Sequence, residues 1–155
     1  MLYQYQLYNA ANIFLGMIQT ESPYYQVAPR APAPFSVSSI FPLDPSFDYC
    51  DKSSRSCAVS WAVRVLNSEN VFFYGAGLYS WFQEYSQACV TTEDCQDRVF
   101  EIATSSAVWI YNLITKAAVE MISPRNGVAV LGKDNKISYC DVVMAWMGSA
   151  SGTGG

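Results

Sequence analysis

The sequence predicts an all-β fold, and a recurring pattern of polar corners followed by apolar strands favours a parallel β-helix. Residues 9–12 precede Ile-Phe-Leu, residues 67–70 precede Val-Phe-Phe-Tyr, and residues 104–107 precede Val-Trp-Ile-Tyr. Small polar residues at corners and β-branched or aromatic residues in strands are typical of stacked β-helix coils. A β-sandwich fits the same pattern equally well, so the pattern alone leaves both folds open.

The densest apolar stretch, residues 67–86, lies at the centre of the predicted fold. Residues 71–74 are β-branched and aromatic, as in a buried strand, and the Gly-Ala-Gly of residues 75–77 predicts a corner before a second strand at 78–82. Further short apolar runs predict the remaining strands, at residues 2–8, 13–18, 58–66, 98–102, 108–113, 118–122 and 128–131.

Two segments depart from the strand pattern. Residues 23–48 contain six of the seven prolines, and proline fixes φ and removes a backbone donor, so we expect a long Pro-rich surface loop there. The aromatic residues Tyr24, Tyr25, Phe35 and Phe41 indicate that this loop packs against the domain. We therefore expect one β domain at residues 1–147, followed by a flexible Gly/Ser tail at residues 148–155.

Composition excludes several classes of function. The chain has 9 Lys+Arg against 13 Asp+Glu, with the basic residues scattered, so it offers no basic patch for nucleic acid or anionic lipid. It has no histidine, which excludes histidine general bases, histidine triads and histidine metal sites. No apolar run approaches the length needed to span a bilayer. We expect no cofactor and no metal, and a neutral partner suits this composition best.

The five cysteines form two close pairs and one single residue. Cys50 and Cys57, and Cys89 and Cys95, are spaced more widely than in zinc knuckles and are flanked by polar loop residues, so small-loop disulfides are favoured over a metal site. Cys140 is left over. Disulfides form in oxidising compartments, which predicts a secreted, extracellular protein. Because residues 1–14 do not have the pattern of a secretory signal, we expect the C-terminal part of a longer secreted chain.

Glu21 is the candidate catalytic residue. It is the only acidic residue among the first 43, and amide, hydroxyl and aromatic side chains surround it in the segment QTESPYYQ. A sugar site needs hydrogen bonds to hydroxyl groups and an apolar platform, and glycosidic cleavage needs a carboxylic acid that protonates the leaving oxygen. A solvated loop glutamate would have the same local sequence, so composition alone does not separate the two interpretations.

Three segments of the chain resemble one family of enzymes. They are LYNAANIFLGMIQTESPYYQ, CAVSWAVRVLNSENVFFYGAGLYSWFQEYSQACVTTEDCQ and SSAVWIYNL, and together they resemble the C-terminal region of fungal exo-β-1,3-glucanases of glycoside hydrolase family 55. The resemblance covers about residues 5–125, and the YGAGLYSWF block with its flanking cysteine pairs is its most specific part.

The resemblance implies a fold, an activity and a site. The fold is a right-handed parallel β-helix of the pectate lyase type, of which this chain would form the terminal coils. The activity is release of glucose from the non-reducing end of β-1,3-glucan with inversion. Glu21 is implied as the general acid, Tyr24 as part of the glucose pocket, and Gln19 and Tyr25 as close neighbours. The water-activating carboxylate is implied about one coil before Glu21, which falls at or before Met1.

The sequence therefore predicts the C-terminal fragment of a secreted exo-β-1,3-glucanase that is inactive alone. Its expected partners are β-1,3-glucan of the laminarin type and the N-terminal part of the same glucanase chain, with no nucleic acid and no membrane. Two alternatives stay open. The fragment is either a non-catalytic glucan-binding segment, or a small disulfide-bonded secreted β-sandwich that serves as an interaction protein.

Overall fold

Apolar and polar residues alternate along the long strands, which buries one face of each strand and exposes the other. The computed structural model describes residues 1–41 and 43–151. Its strands, in chain order, are β1 (Tyr3–Tyr8), β2 (Ala11–Glu21), β3 (Trp61–Leu66), β4 (Glu69–Tyr79), β5 (Gln96–Arg98), β6 (Phe100–Ala103), β7 (Ser105–Lys116), β8 (Ala118–Pro124), β9 (Val130–Leu131), β10 (Lys136–Ile137) and β11 (Cys140–Ala150).

The strands form two sheets. The first sheet has the order β1-β3-β6-β8-β5, with β9 also paired to β8, and the second sheet has the order β10-β11-β7-β4-β2. Pairing is parallel between β1, β3, β6 and β8 and between β2, β4 and β7. It is antiparallel where β9 meets β8, where β11 meets β7 and where β10 meets β11. Both sheets are therefore mixed.

The prediction of a pectate lyase-like, right-handed parallel β-helix was wrong. The two mixed sheets lie face to face as a small sandwich-like domain, and three antiparallel pairings interrupt the parallel order. The physical reason is that a polar corner before an apolar strand indicates where a strand begins but carries no information about the direction of its partner. The three repeated corners do lie where the chain passes from the first sheet into the second.

The core fills the space between the sheets. The first sheet contributes residues such as Val63 and Phe100, and the second contributes Phe73, Ile110 and Leu113, all fully buried. Phe73 and Phe100 meet edge to face, with ring centroids 4.9 Å apart. This apolar contact between sheets is the main source of stability for such a layered domain.

The segment between β2 and β3 covers the outer face of the first sheet. Ala31, Phe47, Cys50 and Ala58 pack against Trp61, which is only 3% exposed. All six residues of β3 are consequently buried, on both faces of the strand. The described residues of the predicted loop 23–48 contain neither helix nor strand.

The second sheet bends at one level across three strands. Because Gly16 pairs with Tyr74 and Ile18 with Ala76, Met17 lies beside Gly75. The pairing of β4 with β7 likewise sets Gly75 beside Asn112. All three residues have left-handed backbone, with φ of 55°, 80° and 54°. The corner predicted at 75–77 is therefore a bend within the single strand β4.

Short elements and two disulfides complete the domain. A five-residue helix, α1 (Ala88–Thr92), begins one residue before the loop closed by the disulfide Cys89–Cys95 and extends into it, and the other disulfide joins Cys50 to Cys57. These are the pairs predicted from the sequence. Strand β11 includes residues 148–150 of the predicted tail, and residues 152–155 of that tail lie outside the described residues. No helix in the described part of the chain is long and apolar enough to cross a membrane.

Candidate functional site

Glu21 is the last residue of β2 and is exposed to solvent. Its neighbour across the sheet is Tyr79, the last residue of β4. Directly after Glu21 the chain is fixed, because the Ser22 amide donates to the Tyr79 carbonyl at 3.0 Å and the buried hydroxyls of Ser22 and Ser80 are hydrogen-bonded at 2.8 Å. The backbone that carries Glu21 is therefore fixed by its pairing with β4 and by the hydrogen bonds of Ser22.

Tyr24 is the side-chain partner of Glu21. Its hydroxyl donates a hydrogen bond of 2.5 Å to Glu21 Oε2, and its ring packs on Phe82 with centroids 4.2 Å apart. This hydrogen bond, together with burial and the negative charge of Glu21, raises the pKa of Tyr24. Tyr24 therefore remains a protonated donor that orients the carboxylate, and Phe82 holds the ring from which it donates.

The other two predicted site residues lie at different distances from this pair. Gln19 lies on the same outer face of β2, two residues before Glu21, and pairs across the sheet with Gly77. Tyr25 faces the N-terminus instead, where its hydroxyl accepts a hydrogen bond from the Met1 amino group at 3.1 Å. Burial raises the pKa of Tyr25. The structure thus brings Glu21 and Tyr24 into contact, with Gln19 beside them and Tyr25 turned away.

Sequence reasoning missed two residues of this cluster. The Gln4 side chain donates to the backbone carbonyl of Glu21, which ties β1 to the end of β2. Phe82 supports Tyr24 through ring packing. The aromatic pair Trp81-Phe82, directly after a strand, could have indicated a ring surface. Nothing in the sequence around Gln4 distinguishes it from other polar residues of an alternating strand.

This cluster supplies one carboxylate. Among the residues that the structure describes, no second carboxylate is hydrogen-bonded to Glu21 or Tyr24. Inverting hydrolysis of a glycoside needs an acid and a base on opposite sides of the sugar, about 6.5–9.5 Å apart. The cluster therefore offers one carboxylate, one phenol donor and a ring surface, but it does not by itself contain a complete inverting pair.

A second charged cluster lies at the same end of the second sheet, two strands from Glu21, because Lys116 is the cross-strand neighbour of Tyr79. Glu93 Oε1 accepts hydrogen bonds from the ammonium groups of Lys116 and of Lys136, the latter at 2.9 Å. Burial opposes ionisation of Glu93, but these two lysines outweigh it and lower its pKa. Burial raises the pKa of the neighbouring Asp141. The sequence predicted only a small disulfide loop at Cys89 and Cys95, so the ion pairs of Glu93 are a finding of the structure.

Neither cluster has the composition of a metal site. Within residues 1–41 and 43–151, no group of three or more Cys, Asp or Glu side chains could hold a metal ion. The ammonium groups of Lys116 and Lys136 already neutralise Glu93, which removes the charge that a cation would need.

Comparison with known proteins finds similarity to short parts of much longer fungal proteins. The chain is 44% identical over 152 residues to a non-secreted LysM effector of Penicillium expansum, a match of 98% of this chain and 10% of that protein. It is 39% identical over 142 residues to a probable glucan endo-1,3-beta-glucosidase of Arthroderma benhamiae, covering 92% of this chain and 16% of the relative.

A third relative is the glucan 1,3-beta-glucosidase of Cochliobolus carbonum, 35% identical over 144 residues, which covers 89% of this chain and 17% of that protein. No family model matches the chain. The chain thus spans between about a tenth and a sixth of the curated relatives just described. Its sequence is related to a segment of fungal glucanases and of a LysM effector.

Proposed function

We propose that this chain is a β-1,3-glucan-binding segment of a fungal glucanase-type protein, and that it binds glucan without cleaving it when alone. The observation that carries the proposal is the Glu21–Tyr24–Phe82 cluster, which combines a carboxylate, a phenol and an aromatic platform at an exposed sheet end. The relatives named as glucan glucosidases support β-1,3-glucan as the ligand. The relative named as a LysM effector supports binding rather than hydrolysis as the shared role of this segment.

In a complete protein the same cluster would serve hydrolysis. We propose Glu21 as the proton donor of an exo-β-1,3-glucanase of the glycoside hydrolase family 55 type, with inversion at the anomeric carbon. Tyr24 would hold the Glu21 side chain toward the leaving oxygen, since its hydroxyl already donates to the carboxylate at 2.5 Å. The water-activating carboxylate would come from a part of the protein outside this sequence, which makes the N-terminal part of the same chain the proposed partner.

The proposed location is extracellular. Two disulfides within small loops fit an oxidising compartment, where such bonds persist. The word "non-secreted" in the name of the Penicillium protein applies to that protein. Cell fractionation of a tagged chain, followed by alkylation of free thiols, would distinguish an extracellular chain from a cytosolic one. A cytosolic chain would carry five reactive cysteines rather than one.

Affinity electrophoresis in gels that contain laminarin tests the binding function. We expect the chain to be retarded by laminarin and Tyr24→Ala to weaken binding about tenfold, because the variant removes a sugar-facing ring worth about 1.4 kcal/mol. Tyr24→Phe keeps the ring and should lie between the two. The matched control is Phe35→Ala, since Phe35 is likewise an exposed aromatic residue, 57% exposed in the Pro-rich loop.

Two results would contradict the proposal. Equal mobility of the parent chain with and without laminarin would show that it does not bind this glucan. Release of glucose from laminarin by the chain alone would show that both carboxylates of an inverting site are present, and binding without cleavage would then be the wrong description.

A further inference from the structure

The bend in the second sheet opens a groove on its outer face. Here "the groove" means the cavity of about 480 Å³ between the Tyr74 and Tyr79 side chains. Its lining includes the aligned left-handed residues Met17, Gly75 and Asn112, which interrupt three neighbouring strands at one level. Non-glycine residues in this backbone region are strained, and such positions concentrate at functional sites. The volume lies within the range of small-ligand sites.

None of the described residues that line the groove carries a carboxylate, ammonium or guanidinium group. Gln19 and Asn112 supply amide donors and acceptors from two different strands, and both are exposed. Tyr74 is 47% exposed and forms part of a row of rings, 5.4 Å from Phe14 and 4.8 Å from Tyr111 between centroids. A surface of aromatic rings and amides without formal charge matches a neutral, hydroxyl-rich ligand.

Gly77 forms the floor of the groove and controls its depth. A Cβ atom at Gly77 would lie 2.7 Å from the Tyr79 hydroxyl oxygen and 3.0–3.1 Å from two ring carbons of Tyr79. The Tyr79 ring therefore lies directly over the glycine, and a side chain there would displace it. Burial raises the pKa of Tyr79, so its hydroxyl remains protonated.

The groove continues into the Glu21 cluster. Gln19 lines the groove and lies two residues before Glu21 on the same strand face, and Tyr79 is the cross-strand neighbour of Glu21. In an extended strand, two residues span about 6.6–6.8 Å. A chain of sugars that reached Glu21 would therefore have its next unit over the groove.

From this continuity we infer that the groove is a second sugar subsite, which binds the neutral pyranose unit adjacent to the one that contacts Glu21 and Tyr24. The inference rests on the proposed function and adds to it a position and a specificity. The Tyr74 and Tyr79 rings pack on the C–H faces of the sugar, and Gln19 and Asn112 hydrogen-bond its hydroxyls. Without a charged group in the lining, the groove favours neutral glucans over uronate or amino sugar polymers.

Titration of the ¹⁵N-labelled chain with laminaritriose, followed by amide chemical shifts, tests the inference. We expect the largest shift changes at Gln19, Gly77 and Asn112, together with changes around Tyr24. The affinity should change less than about twofold between 50 and 500 mM NaCl, because salt screens charged contacts and this lining has none.

Two substitutions isolate the groove. Tyr74→Ala removes a wall and Gly77→Ala moves the Tyr79 ring, and each should weaken laminaritriose binding about fivefold while leaving binding of glucose itself unchanged. Phe35→Ala, again the control, should bind both ligands as the parent does. Asn112→Ser, which removes the amide with little change to the sheet, is a further test if Tyr74→Ala does not fold.

The outcomes separate this inference from the proposed function. Shift changes confined to Tyr24 and Phe82, with parental affinity in all groove variants, would overturn the subsite and leave the proposed function standing. Shift changes in the groove combined with no effect of Tyr24→Ala would show that the groove binds sugar, but would overturn both the Glu21 cluster as the binding site and the groove as its adjacent subsite. No shift changes anywhere would overturn both.

Discussion

The outer faces of the two sheets differ in what covers them. On the first sheet, the segment between β2 and β3 covers the outer face, so that Trp61 is 3% exposed and Arg64 is fully buried. On the second sheet, Phe14 is 67% exposed and Tyr74 is 47% exposed. Aromatic residues are therefore part of the packed structure on one side and form an open surface on the other. Aromatic residues can therefore form a binding surface only on the sheet face that no other segment covers.

Burial on the covered face includes charged groups. Glu101 accepts hydrogen bonds from Arg64 Nε at 2.6 Å and from Arg125 at 3.0 Å, and both Arg64 and Glu101 are at least 95% buried at their side chains. Arg64 also donates to Gln6 at 2.7 Å and to the Leu43 carbonyl at 2.6 Å. The Arg64 guanidinium group thus links three strands of the first sheet, β1, β3 and β6, to the Pro-rich loop.

The largest expected effect comes from breaking this buried ion pair. Glu101→Gln leaves the Arg64 charge buried without its counter-ion, and the free energy of unfolding should fall by about 3–5 kcal/mol. Urea denaturation measures the loss. The control is Arg55→Ala, which removes an exposed pair with Glu84 at 3.5 Å and should cost at most about 1 kcal/mol. Equal effects of the two substitutions would show that the covered face is not more dependent on its charges than the surface.

A smaller effect is expected at the bend of the open face. Gly75→Ala places a side chain on a residue with φ of 80° and sets its Cβ 2.9 Å from Met17 Sδ, so it should destabilise the fold by about 1–2 kcal/mol. Gly16→Ala is the matched control one strand away, since Gly16 has no left-handed backbone and its Cβ would meet only the exposed Phe14 ring at 3.2 Å. Thermal unfolding of both variants checks the difference. A Gly75→Ala variant as stable as Gly16→Ala would mean that the bend is not strained.

The smallest effect is expected at a covered corner of the open face, where Lys116 is buried beneath Glu93 and Tyr139. The folded pKa of Glu93 is lowered, so its contribution to stability is complete above the ordinary value of 4.5 and is lost as the pH falls through the folded pKa. We expect the parent to be more stable than Glu93→Gln at pH 6, with the difference shrinking as the pH falls below 4.5. A constant difference across this range would show that Glu93 acts by shape rather than charge.

Sequence reasoning found the strands but not their partners. Residues 71–74 were predicted as a strand from their composition, and they lie in β4 with Val71 and Phe73 fully buried. The prediction of parallel pairing throughout was wrong. The antiparallel pairing of β11 with β7 depends on contacts between residues 105–150 that no local pattern encodes. That the Pro-rich loop covers the first sheet was not predicted for a similar reason, because proline content predicts a loop without indicating where it packs.

The site was predictable only in its composition. Polar and aromatic residues around Glu21 indicated a sugar site, and the structure shows Tyr24 in contact with Glu21. The groove was not predictable, because Met17, Gly75 and Asn112 come from three strands and share a level only after the strands pair. Gly75 was the one visible signal, and it was interpreted as a corner between sheets.

Protection of methionine side chains from oxidation tests most directly whether the open face binds glucan. Met17 is 87% exposed and lines the groove, whereas Met147 is 61% exposed on β11, beyond two intervening strands of the same sheet. Both oxidise to the sulfoxide when they are accessible. We predict that saturating laminaritriose slows oxidation of Met17 several-fold and leaves Met147 unchanged, as measured by mass spectrometry of peptides. Unchanged oxidation of Met17, or equal protection of both residues, would contradict binding in the groove.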